Sequence, residues 1–348
     1  MGNGIQTANG KAFEYACVEA LQKALEGCGD IVIESSPQLE TAKGLYDSVD
    51  NKMRESLDKA AYAAVRVVKR LEPQLWNPNG NEPLYLSIQA DSAGMRGDVR
   101  DVVCLRKQNG WEIGFSCKHN HHAVKHSRLS DTIDFGKEWV GVSCSKEYFD
   151  VVVPLFTELR KYRDDSKEAG TPMLWEEIED KAERYYKPLL EAFMKELKRI
   201  ADENKGIPEA LIRYLLGRND FYKVITDDKS RTTRVEAINI AGTLNSSSGD
   251  EKAITKVPIL KMPTQFYHIG FKPNSDNTVE VVCDEGWQIS MRIHNASSRV
   301  EPSLKFDVQL ISFPSSVYAQ VEPWESEEER MTKRVMAYAD KLSVKDNQ

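Results

Sequence analysis

Asn109-Gly110 stands between two strand-like runs, DVVCLRK (101–107) and WEIGFSCK (111–118), and constrains the fold more than any other stretch of the chain. Asn-Gly between β-rich runs is the strongest short hairpin signal a sequence carries. With a two-residue turn, Gln108 faces Trp111 and the ladder sets Asp101 opposite Lys118. Directly opposed residues on antiparallel strands project to one face with β-carbons about 4.5–5.5 Å apart. Ser116, two residues before Lys118, points the same way.

A carboxylate and an ammonium sharing one small volume have a plain reading, a cross-strand salt bridge worth at most about 1 kcal/mol. The apolar character of both runs puts the pair at the end of a buried sheet instead. There the two groups are parts for metal-dependent phosphodiester hydrolysis. Carboxylate oxygens suit Mg²⁺, with Mn²⁺ as a substitute, and such an ion keeps waters and binds substrate phosphate. A metal-bound water loses its proton more readily, and a nearby lysine can orient or deprotonate it.

Directly after Lys118 come His119, Asn120, His121, His122, Lys125, His126 and Arg128, in a chain of net charge −7. Overall acidity argues against indiscriminate coating of nucleic acid, while a local basic segment behind the strand that ends in Lys118 fits one DNA-facing patch. A zinc site built from Cys117 and His119 lacks the close-spaced Cys and His pairs of structural zinc. The adjacent letters His-Asn-His lack the spread of a ββα-metal nuclease. A second polar, basic interval holds Arg292, His294, Asn295, Ser297, Ser298, Arg299 and Lys305 between two strand runs. Arg and Asn there are suited to reading base edges, the guanidinium matching guanine O6 and N7.

The 348 residues allow one large domain or two ordinary ones. Phe13, Cys17, Ala20, Leu21 and Ala24 predict a helix over 8–25, and 49–71 predicts another. DIVIESS and LYLSIQA (84–90) read as strands, 127–138 as a helix and WVGVSCS (139–145) as a strand. Residues 147–220 form a helical segment in which LWEEIEDKAERYYKPLLEAFMKELKRIADEN reads as one helix kinked near Pro188. FYKVIT, RVEAINIAG, FYHIGFK, TVEVVCD, GWQISMRIH and SLKFDVQLISF make 221–321 a mostly antiparallel β-rich region, and 322–348 a charged tail. The scattered cysteines predict reduced thiols. Without a membrane-spanning apolar run or an export signal, the expected compartment is the cytoplasm.

A helix bearing Gly10-x-x-Phe13-Glu14, an Asp opening a strand and a hairpin to x-x-Lys118 resemble the PD-(D/E)xK nuclease core. More narrowly, GDVRDVV (97–103), WEIGFSCKHNHHAVKHSRLS (111–130) and WQISMRIHNASSRVEPSLKFDVQL (287–310) resemble the HaeIII-type restriction endonucleases. The resemblance implies an α/β fold: a central mixed sheet flanked by helices as the nuclease core (1–146), then the helical segment and a C-terminal β-rich region that recognises DNA. It implies a Mg²⁺-dependent type II enzyme that cuts double-stranded DNA at a short palindrome, GGCC in the best-known members, with no organic cofactor. Asp101 matches the metal-binding aspartate, Lys118 the motif lysine, and Glu14 the acid given by the first helix, with Asp98 a further metal candidate. Ser116 stands where the general pattern has Glu or Asp, so it supports the site as a weak neutral ligand at most. A two-fold target favours a homodimer. Rival readings are a DNA-binding protein without catalysis and a repair or RNA nuclease on the same core.

Overall fold

Phe13, Cys17 and Leu21 lie on one buried face of α1 (Gly2–Ala24), as their helical spacing requires. The computed structural model describes residues 2–77, 82–90, 97–120, 123–125, 127–325 and 331–332, giving the backbone alone for 2–5 and 123–125. After β1 (Ile31–Ile33), Ser36 caps α2 (Pro37–Ser48) by accepting from the Leu39 N–H. Asp50 caps α3 (Asn51–Leu71) through Met53. The buried face of α3 is largely alanine and valine, small enough for close approach to the sheet, and Thr233 donates to the Ala60 carbonyl at 2.9 Å. A single turn, α4 (Pro73–Trp76), follows.

These helices cover a seven-stranded mixed sheet. It contains β1, β2 (Leu84–Ile88), β3 (Val102–Arg106) and β4 (Trp111–His119), and continues through β7 (Phe221–Asp227), β8 (Thr232–Ile238) and β13 (Ala319–Pro323). The β1–β2 and β4–β7 pairs are parallel and the others antiparallel. A second, antiparallel sheet takes β5 (Ala123–Lys125) and β6 (Arg128–Leu129) on one side of β12 (Leu304–Ser312). On the other side it continues through β11 (Gln288–Asn295), β10 (Thr278–Cys283) and β9 (Phe266–Phe271). Its apolar face, with Ile289, Met291, Ile293, Phe306 and Val308, packs on α5 (Lys146–Glu168), α6 (Lys187–Glu203) and α7 (Ile207–Leu216).

The hairpin turn differs from the two-residue form its sequence predicts. Residues 107–110 all lie in the turn, and Arg106 pairs with Trp111. Arg106 is buried and donates to the carbonyls of Gln74, Leu75 and Glu82, while Asn109 accepts from the Trp111 N–H. These bonds favour the longer turn. The ladder slides by two residues, which keeps every side chain on its predicted face.

The expected helix at 127–138 and strand at 139–145 are absent. Their place is taken by β6 and a π-helical turn, Gly136–Val140, ended by Gly141 at φ 78°. Tertiary packing overrides the β-rich pattern here, because Trp139 stacks on Tyr214 with centroids 5.1 Å apart and lies against Phe135, Phe193 and Phe306. The core's second parallel partner is therefore β7, from the far side of the helical segment. The expected long helix starts late: a 3-10 turn at Trp175–Glu177 and a π turn at Ala182–Tyr186 precede α6, where Pro188 occupies the first turn. The divisions near 146 and 220 do not follow the sheets, since β5 and β6 join the second sheet and β7, β8 and β13 the first. The charged tail is anchored at its start, with Trp324 buried and Glu322 bonded by Arg66 and Arg70. All six thiols are free. Among the described residues no helix is long and apolar enough to cross a membrane.

Two outcomes are expected. Phe306→Ala, which empties the junction between the aromatic cluster and the second sheet, should cost about 3–5 kcal/mol in urea unfolding. Glu72 is buried, its carboxylate accepting from Tyr222 Oη and the Asn245 N–H, each at 2.6 Å, and burial pushes its carboxyl from 4.5 up to about 7. A folded value above the unfolded one means the stability linked to protonation is complete below 4.5 and lost as pH rises through about 7. Wild-type stability should therefore fall between pH 5 and pH 8 relative to Glu72→Gln, measured by thermal unfolding at both.

Candidate active site

Just ahead of β3, the Asp101 carboxylate takes up the next main-chain donor of β4. Asp101 Oδ2 accepts from the Cys117 N–H at 2.6 Å, while the Asp101 N–H donates to the Phe115 carbonyl at 2.7 Å. Lys118 Nζ stands 3.3 Å from the same Oδ2. The two residues that the sequence set opposite each other thus meet, one ladder step out of line. Among the described residues both bonds to the carboxylate fall on Oδ2, and Oδ1 has none.

The first helix approaches from the other side of β4. Cys17 and Cys117 place their Sγ atoms 3.8 Å apart, which fixes α1 against the strand and sets Glu14, one turn earlier, near Asp101. Burial, then the charge of Asp101, pushes the Glu14 carboxyl up to about 8 against the pull of Lys11 and Lys118. Two carboxylates near one another, one of them buried, are an arrangement that a cation relieves. Oxygen-only donors, with the Cys117 carbonyl and the Ser116 hydroxyl nearby in the chain, fit a hard divalent ion that keeps part of its shell for water and phosphate. Among the described residues no group of three or more His, Cys, Asp or Glu side chains is arranged to hold a metal.

Asp98, the third expected metal carboxylate, is bonded elsewhere. Arg100 Nε and Nη2 each donate to it at 2.8 Å, and Gln89 Nε2 donates at 3.0 Å. Arg100 is itself buried, lying across Gly114 where any Cβ would collide with it, and also pairs with Glu112. Asp98 thereby neutralises a buried guanidinium, and the Arg100 charge keeps its carboxyl low against the effect of burial.

Ser116 is buried, and the residue beside it on β7 is Lys223, itself only 3% exposed and opposite Glu236 on β8. Burial lowers the Lys223 ammonium to about 8, with Lys118 adding to the shift and Glu236 opposing it. Lys223 was missed in the sequence, where a lone lysine inside the apolar run FYKVIT was the available signal.

The basic segment divides. His119 is buried and its Nε2 lies 3.2 Å from Asp228 Oδ2. Asn120, at φ 57°, donates to Asp228 at 2.8 Å and accepts from the Asp228 N–H, tying the end of β4 to the β7–β8 turn. His121, His122 and His126 lie outside the described residues, and Lys125 is described by its backbone, which pairs with Val308. Arg128 is exposed on β6 and donates to Ser303. Register sets Arg128 beside Lys305 and Lys305 beside His294, bringing two distant basic intervals onto one sheet. Arg292 is exposed and paired with Asp307 at 2.8 Å, Asn295 bonds the Ser297 carbonyl, and Arg299 is exposed in the loop that follows β11.

The family model described as HaeIII restriction endonuclease matches residues 10–314. The type II restriction enzyme HaeIII of Haemophilus aegyptius is 40% identical over 318 residues, covering 91% of this chain and 98% of that enzyme. No solved structure matches the chain. With a family match that spans both sheets and the Asp101–Lys118 pair, the chain belongs to the HaeIII restriction endonuclease family.

Proposed function

We propose that this restriction endonuclease cuts double-stranded DNA at a short GGCC-like palindrome with Mg²⁺, using Asp101, Glu14, Lys118 and Ser116. The observation that carries the reading is the meeting of Asp101 with Lys118 at 3.3 Å beside the buried Glu14 carboxyl. Asp101 and Glu14 would hold the ion, which when bound would supply charge neutralisation at the phosphate and a more acidic water. The Cys117 N–H fixes the Asp101 carboxylate so that its free oxygen faces outward from the strand end. Lys118 positions the attacking water and donates to the phosphate oxygens, and Ser116 lines the floor between Lys118 and Lys223. Asp98 acts by holding Arg100 and not as a ligand. Attack of the water on phosphorus, with its proton passing to solvent, breaks the bond to the leaving sugar oxygen, which takes a proton from solvent in turn. The restriction role fits a cytoplasmic enzyme, and a two-fold site fits a homodimer.

Plasmid DNA incubated with the protein and Mg²⁺ should give discrete fragments, and none with EDTA. A smear would point to an unspecific nuclease, and intact DNA that is still bound would favour the non-catalytic reading. Asp101→Ala and Lys118→Ala should each lower cleavage roughly a hundred- to ten-thousand-fold with DNA binding retained, while Ser116→Ala should stay within about tenfold. Asp98→Ala should act differently, lowering stability by about 3–5 kcal/mol because Arg100 is left buried and unpaired. Full stability in that variant with loss of cleavage would return Asp98 to the metal site.

A further inference from the structure

Alternation along β11 and β12 sends Ile289, Met291, Ile293, Phe306 and Val308 into the core, and Arg292, His294, Lys305 and Asp307 to the opposite face. On that face Lys305 stands beside Arg128 of β6 and His294 of β11, and Asp307 stands beside Arg292. Lys305 forms no hydrogen bond or ion pair among the described residues, although burial and the neighbouring Arg128 both work against its charge. Asp307 is the acid among the cations Arg128, Arg292 and Lys305, bonded to Arg292 at 2.8 Å with the imidazole Nε2 of His294 3.9 Å away. The Arg292 side chain is 57% exposed while that of Asp307 is 22% exposed, so the guanidinium end of the pair is open to a new partner.

A face that only gripped phosphate would gain nothing from a carboxylate at its centre, since an acid repels the backbone. Base edges are different. Guanine offers two acceptors in the major groove, and cytosine offers an amine that asks for an acceptor. β11 and β12 are flanked in their sheet by β10 and by β5 and β6, so the side chains of this face, and not the strands, reach toward the groove.

We infer that β11 and β12 read G·C pairs through this face, with Asp307 accepting from a cytosine N4 amine and Arg292 and Lys305 donating to guanine. The inference rests on the proposed reading of the chain as an endonuclease with a G·C-containing target, and adds Asp307 and Lys305 as specificity-determining residues. Arg292 leaves its carboxylate partner for guanine while Asp307 turns to the neighbouring cytosine, so the ion pair of the free protein is exchanged for one base pair.

The test pairs side-chain deletion with base-atom deletion. Once the ends of digested DNA give the target, duplexes are made in which one cytosine at a time becomes 2-pyrimidinone, which lacks the 4-amino group, or one guanine becomes 7-deazaguanine, which lacks N7. The kcat/KM of wild type, Asp307→Ala and Lys305→Met is measured on each. One cytosine position should lower wild-type kcat/KM roughly 10- to 100-fold, and one guanine position likewise. In Asp307→Ala the same cytosine change should cost under about threefold, and in Lys305→Met the same guanine change should cost as little, because the lost partner cannot be lost twice. Equal losses in wild type and variant would overturn the inference, as would wild-type cleavage indifferent to every cytosine amine, a result that needs no variant to fold. Absence of discrete cutting of unmodified DNA by the wild type would instead sink the endonuclease reading itself.

Discussion

The hydrogen bond from the Cys117 main chain to Asp101 organises the rest of the site. β3 stops before β4 does, and an amide on β4 would be left without a partner as the two strands part. Buried amides are seldom left unpaired, and here a carboxylate oxygen fills the place of a carbonyl. That one bond orients Asp101, and Lys118 meets the same oxygen, the other having no bond among the described residues. The side chain of the same cysteine meets Cys17 on α1, so the residue that aligns the aspartate also sets the helix that carries Glu14.

Electrostatics around this point are arranged in pairs. Arg100 with Asp98, Lys118 with Asp101 and His119 with Asp228 each combine a group at least five-sixths buried with an opposite or complementary one, so that little charge is enclosed uncompensated. Glu14 departs from the pattern: against Lys11 and Lys118 stand a desolvating core and a second carboxylate, and these prevail. The cost of keeping it there without a cation is borne by the packing of Phe13, Cys17 and Leu21 on the same helix.

Much of this was readable before any coordinates. The helices at 8–25 and 49–71, the strands flanking Asn109-Gly110 and the six β-rich runs after 220 follow local periodicity, which is where sequence carries its strongest signal. Asp101 and Lys118 were found because parity along a hairpin survives an even slide in register, even though the turn was longer than two residues. What escaped was non-local. Nothing near β4 announces that its parallel neighbour lies beyond three further helices, and nothing in WVGVSCS reveals that Trp139 belongs to an aromatic cluster. Asp98 was weighed as a ligand because Arg100, two residues on, had not been read as its partner. His119 looked exposed by composition, yet β4 alternation puts it on the buried side.

The two sheets exchange strands: the chain leaves β4 for β5 and β6 in the second sheet, returns for β7 and β8, and comes back once more for β13. No single cut in the polypeptide frees one sheet from the other, so the architecture cannot be shuffled as interchangeable cassettes. A change of target therefore has to come from side chains replaced in place, under the same folding constraint that holds the strand of Lys118.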